Sequence, residues 1–173
     1  MPEAWLSGPV DGVPWPLMPA AHALMDALED MEVAVEGLTT EELWLSPGGA
    51  ASVGFHLRHV PGSLDRLLTY ARGEALAPAQ LAALREEGEP GAPPAAATQL
   101  LDALREAVSA ALDVYRGVDP GDLTAPRGVG RAGLPSTVHG LLYHAAEHAR
   151  RHAGQVVATA RIVRGLGLAD GSG

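Results

Sequence analysis

The sequence predicts an all-α protein, a four-helix bundle with at least one long crossover connection. Three observations carry that reading. Four segments place apolar residues at alternating steps of three and four, the period of a helix with one buried face. Nothing reads as a strand, since no run alternates apolar and polar positions with β-branched residues. Two long Gly/Pro-rich stretches separate the later helical segments, as a bundle with a crossover requires.

The chain opens with Pro2, Pro9, Pro14 and Pro16, so residues 1–16 read as an irregular N-terminal arm, with Trp5 and Trp15 expected to pin it. The first helix carries Leu17, Ala21, Leu24, Leu28, Met31 and Val35, and Gly37 stops it. Thr39-Thr40-Glu41-Glu42 starts a short turn before Trp44, and Ser46-Pro47-Gly48-Gly49 is a loop. Ser52 caps the second long helix, whose stripe is Val53, Leu57, Val60, Leu64, Leu67 and Ala71. Pro61 falls inside that stripe, where it removes a backbone donor and is expected to kink the helix or destabilise it. Residues 78–87 form a short helix, and 86–94 a Gly/Pro/acidic connector. The third long helix presents Leu101, Leu104, Val108, Ala111, Tyr115 and Val118. Residues 119–136 are the second connector, with Leu134-Pro135-Ser136-Thr137 as the start of the last helix. That helix has the longest stripe, from Val138 through Leu141, Ala145, His148, His152, Val156 and Thr159 to Val163, and ends near Gly165. The chain reads as a single domain over 1–173, with a disordered tail at 167–173.

Composition narrows the chemistry. With 12 Lys+Arg against 21 Asp+Glu the net charge is −9, the opposite of a nucleic-acid binder's electrostatic footprint. No apolar run is long enough to span a bilayer, and no signal peptide is read, which leaves the cytoplasm as the expected location. There is no cysteine and no lysine, which excludes disulfides, thiolate nucleophiles, Cys-ligated zinc and Schiff-base lysines. Histidine is left as the richest source of reactivity, and six of the seven fall in two groups.

One group is His144, His148 and His152, spaced by four along LLYHAAEHARRHAGQ, so the rings emerge on one side of the last helix. Relative to the stripe, His148 and His152 take core positions and His144 the edge; Gln155 also faces inward, while Arg150, Arg161 and Arg164 point away. Two adjacent core imidazoles are unfavourable unless something satisfies both, and a divalent metal does so. A further ligand must come from another helix. His56 and His59, with His139, complete the six; the stripe of the second helix slightly favours His56 over His59. His22 and His139 read as hydrogen-bonded structural residues. His144-Ala-Ala-Glu147-His148 also matches the H-x-x-E-H pattern of inverzincin proteases, but no Glu follows His148 to supply the further ligand those enzymes need.

These residues resemble the DinB-like superfamily, also called DinB/YfiT-like metalloenzymes. The match rests on HxxxHxxxH followed by Gly154-Gln155, on the segment GFHLRHVPGSLDRLLTYARGE, and on the loop LSPGG before it, and covers roughly residues 17–165. Ala153, where the family usually has Arg, and Pro61 depart from it. The resemblance implies an up-down-down-up bundle, often a homodimer, with a divalent metal, zinc or nickel, on one histidine of the second helix and two of the fourth. Those positions are His59, His148 and His152 here; His56 and His144 become supporting or alternative ligands. It also implies a low-molecular-weight thiol of the bacillithiol or mycothiol type and a small electrophile as partners, in an S-transferase or related metal-dependent reaction. The alternative is a non-enzymatic, metal-binding or stress-responsive bundle. Gly154 is expected to mark a close helix approach. Both connectors are expected to shape a substrate pocket.

Overall fold

The computed structural model describes residues 3–167; the tail expected to be disordered lies, apart from Gly167, outside the described residues. Six α-helices and one two-stranded sheet are present among them. The helices are α1 (Met18–Val35), α2 (Thr40–Trp44), α3 (Val53–Ala71), α4 (Pro78–Glu86), α5 (Ala97–Gly117) and α6 (Val138–Gly165). Each predicted long stripe is one of α1, α3, α5 and α6.

Local chemistry sets the boundaries. Thr39 and Glu42 form a reciprocal capping box at α2. The Ser52 hydroxyl accepts from the Phe55 N–H at 3.1 Å and starts α3. Thr137 accepts from Gly140 at 3.0 Å and starts α6. Pro61 lies within α3, which nonetheless continues to Ala71.

The long helices share one core that includes Leu24, Met31, Leu57, Leu64, Leu104, Tyr115, Leu142 and Val156. α6 packs against both α1 and α3, α3 against α5, and α5 against α1. Cross-contacts fix which ends meet. His139 of α6 lies 3.4 Å from the Pro16 carbonyl, and Arg164 donates to the Glu36 carbonyl at 2.6 Å. The buried Tyr115 hydroxyl near the end of α5 donates to the Leu142 carbonyl near the start of α6, at 2.6 Å.

Two expectations about the periphery fail. Strands exist: β1 (Pro126–Val129) and β2 (Leu134–Thr137) form an antiparallel hairpin within the second connector. Its strands are four residues long and contain Pro126, Gly128 and Pro135, so no alternating β-branched pattern could announce them. Gly130 and Gly133 take the positive φ values of 68° and 59° that close the turn. Nor do the tryptophans pin the N-terminal arm: Trp5 is 59% and Trp15 77% exposed, while Ala4, Val13, Leu17 and Met18 bury instead. No helix among the described residues is long and apolar enough to cross a membrane.

Candidate metal centre

The first turns of α3 face the middle of α6, and four histidines meet there. The centroids of the His59 and His148 rings lie 5.2 Å apart, His59 and His152 4.6 Å, and His148 and His152 4.5 Å. Each of the three offers one ligand atom, and those atoms lie within 4.8 Å of one another, so the cluster could hold a metal ion. All three are partly buried.

The contacts around the rings fit a divalent cation. His59 Nε2 lies 2.9 Å from His148 Nε2, and His56 Nδ1 lies 2.9 Å from His152 Nδ1. Nitrogens so placed must share a proton in each pair, whereas a cation would accept lone pairs from several rings together. His148 Nδ1 is buried and finds no hydrogen-bond partner among the described residues. Imidazole suits zinc and nickel alike.

Protonation state follows from burial. Desolvation, then the neighbouring His59, lower His56 to about 4. Desolvation, then His59, His144 and Arg151, lower His148 to about 4. Desolvation, then His148, His59, His56 and Arg151, lower His152 to about 3. These three rings are therefore neutral near pH 7, the form that donates to a metal.

His56 is 3% exposed and braces His152 from behind, which is why the stripe of α3 favoured it. His59 sits at the edge of that stripe, stacked on Phe55 with centroids 5.3 Å apart at 15°. Its Nδ1 faces Glu87 Oε2 at 2.6 Å, and Arg66 Nη1 donates to Glu87 Oε1 at 2.6 Å. A carboxylate acceptor assigns the ring proton to Nδ1 and leaves the Nε2 lone pair toward His148. Glu87, 4% exposed, was missed because it lies in an acidic connector without periodicity. Gly62 makes room for it, since a Cβ there would meet Glu87 Oε1 at 2.6 Å.

Several expected features lie elsewhere. The buried face of α6 includes Leu142, Ala145, Ala146, Ala149, Ala153, Val156 and Ala160. At 100° per residue this face is centred roughly 50° from His152 and 90° from His148, which are flanking rather than central. The alanines of this Ala-rich chain carry the face, and counting mainly larger apolar residues shifted the predicted centre. The same shift misplaced Gln155, which is exposed. Gly154 is exposed too, and a Cβ there would meet nothing within 4 Å, so no close helix approach explains it. His144 is exposed and turned to Glu147 at 3.2 Å. His22 Nε2 lies 2.9 Å from the Gly8 carbonyl, a structural contact as expected. The first connector reaches the histidine cluster through Glu87. The hairpin docks at the far end of α3, where Arg127 donates to the Ala71 carbonyl at 2.7 Å.

A family model described as the DinB superfamily matches residues 23–156. A crystal structure of a conserved protein from Enterococcus faecalis is similar, with a TM-score of 0.70 at 21% identity, covering 86% of this chain and 97% of that one. At that identity the likeness concerns the fold alone. No curated protein matches the chain.

Proposed function

This chain belongs to the DinB superfamily, and from that premise we propose that His59, His148 and His152 hold one divalent ion, zinc or nickel, in an enzyme that transfers a low-molecular-weight thiol to a small electrophile. The observation that carries the reading is the triangle of three partly buried imidazoles, His59, His148 and His152, with ligand atoms within 4.8 Å. Three imidazoles leave coordination positions open, as catalytic rather than structural sites do. A divalent ion there supplies Lewis acidity that lowers the pKa of a thiol or water.

The chain's own residues do the rest. His56 orients His152, Glu87 orients His59, and Phe55 covers one face of the His59 ring. Arg151 adds positive potential beside His148 and His152, and Glu147, its ion-pair partner at 2.5 Å, offsets part of it at His148. With no cysteine in the sequence, the sulfur must arrive with a cosubstrate.

The same reading takes the chain as one domain built on an up-down-down-up bundle. Its support is the shared core and the end-to-end contacts, which run α1 parallel to α6 and α5 antiparallel to it.

The test is metal-dependent consumption of a thiol (bacillithiol or mycothiol) by the zinc- or nickel-loaded protein with monochlorobimane as electrophile. Turnover that disappears in His148→Ala and His152→Ala, with the helical content kept, is expected. Metal-loaded protein that shows no turnover above the free metal would overturn the transferase assignment.

One observation favours a second reading, in which the ion braces α3 against α6 without catalysis. The His56–His152 and His59–His148 pairs, each 2.9 Å apart, span the packed α3–α6 contact, where a shared ion would tie the two helices together. On that reading the ligand variants unfold instead of losing activity alone.

A further inference from the structure

The segment 86–95 is tied to α3 and α2 almost wholly by polar contacts. α4, which precedes it, has no buried residue, and Glu87 is the one buried position in residues 84–89. The Arg58 guanidinium donates to the carbonyls of Glu86, Glu89 and Pro90 and lies over the Trp44 ring, 4.8 Å from its centroid. Trp44 Nε1 donates to the Ala95 carbonyl at 2.9 Å. Glu87 reaches inward between His59 and Arg66 with two contacts of 2.6 Å. A segment held this way, with little apolar burial, belongs to the low-stability end of local opening.

We propose that Glu87 is a positioning residue for the histidine cluster, delivered by a connector whose docking on α3 is thermodynamically linked to metal binding. The inference rests on the metal reading above. Its physical content is the chain Arg66–Glu87–His59. When the connector is docked, the carboxylate fixes the orientation and tautomer of the His59 ring, so its Nε2 faces the cluster. When the connector lifts, His59 loses its carboxylate and can rotate about its side-chain bonds, and Arg66 loses its partner. Linkage is reciprocal, so the factor by which docking strengthens metal binding is the factor by which the metal favours docking. Removing a carboxylate that orients a ligating histidine weakens metal binding by about 10–100-fold.

Two variants separate this from general destabilisation. Glu87→Gln keeps the shape and removes the charge. Gly62→Ala keeps the charge but sets a Cβ 2.6 Å from Glu87 Oε1 and 2.9 Å from Arg66 Nη1, displacing the carboxylate. Arg85→Gln, on the exposed face of α4, is the control. Zinc affinity is measured by competition with a chromogenic chelator, and amide hydrogen exchange of residues 86–95 is followed with and without zinc. The expected result is a loss of about 10–100-fold in affinity in Glu87→Gln and a loss in Gly62→Ala, with none in Arg85→Gln. Zinc slows exchange of 86–95 in the wild type and not in Glu87→Gln, a difference that a merely structural role would not produce. Wild-type affinity in Glu87→Gln, or exchange of 86–95 indifferent to zinc in the wild type, overturns the linkage while leaving the metal site standing. Absence of zinc binding by the wild type overturns the metal reading and this proposal together.

Discussion

Gly54 and Gly154 are both helical glycines, and replacing each by alanine should move stability in opposite directions. An added Cβ at Gly54 would lie 2.7–2.8 Å from three atoms of the Trp44 ring. Carbon atoms rest at about 3.5–4.0 Å, so the ring must retreat by close to an ångström. Overpacking of that kind costs about 1–3 kcal/mol. The retreat also strains the Trp44–Ala95 hydrogen bond of 2.9 Å, with a net worth of about 0.5–1.5 kcal/mol. Against these stands the gain in helix propensity, up to about 1 kcal/mol. The balance for Gly54→Ala is a destabilisation of about 1–3 kcal/mol, a Tm lowered by roughly 2–12 °C for a chain of this size. At Gly154 a Cβ meets nothing within 4 Å and the position is exposed, so only the propensity gain of up to about 1 kcal/mol remains. Thermal unfolding by circular dichroism, on both variants stripped of metal with chelator, reads the pair. A Gly54→Ala protein at least as stable as the wild type would refute the packing of Trp44 against α3, and with it one of the anchors of the 86–95 segment.

Tyr115→Phe removes a fully buried hydroxyl that donates to the Leu142 carbonyl at 2.6 Å, and should lower stability by about 1–2 kcal/mol in chemical denaturation, with no change in slope. Stability of the metal-free protein should depend on pH with a definite sign. His56 and His148 titrate near 4 and His152 near 3 when folded, below the 6.5 of an unfolded histidine, so the unfolded chain takes up protons first as pH falls. Their contribution is fully present above pH 6.5 and is lost as pH falls toward 4; Tm measured from pH 8 to 4.5 should drop more steeply in the wild type than in His152→Gln, and equal slopes would contradict this. His144→Ala should leave zinc affinity unchanged in the chelator competition, because that ring is exposed and turned to Glu147.

The sequence carried the helices well and their surroundings poorly, for physical reasons. Period-3.6 stripes in α1, α3, α5 and α6 survive because burying one face of a long helix constrains many positions at once. The β1–β2 hairpin left no such trace: four-residue strands with proline and glycine bury little. The histidine cluster was legible because His148 and His152 share one side of α6 and α3 offers two further histidines, His56 and His59, three residues apart. The orientation of α6 was read roughly 50° astray, since Ala146, Ala149, Ala153 and Ala160 bury as fully as leucine while looking neutral. That error cost Gln155 its inward assignment; Gly154 was misread separately, because a helical glycine need not mark a close approach and a Cβ there meets nothing within 4 Å. Choosing between His56 and His59 required knowing what stands behind each ring. His56 leans on His152, and His59 on Glu87, a residue whose position in an aperiodic connector says nothing of where it folds.

The central claim is that three histidines from α3 and α6 hold one divalent ion. Its most direct test is the metal content, by mass spectrometry, of the purified untagged protein and of His59→Ala, His148→Ala and His152→Ala. The account predicts about one zinc or nickel ion per chain in the wild type, and loss of the ion in each variant. A wild-type protein that stays metal-free after supplementation would contradict it.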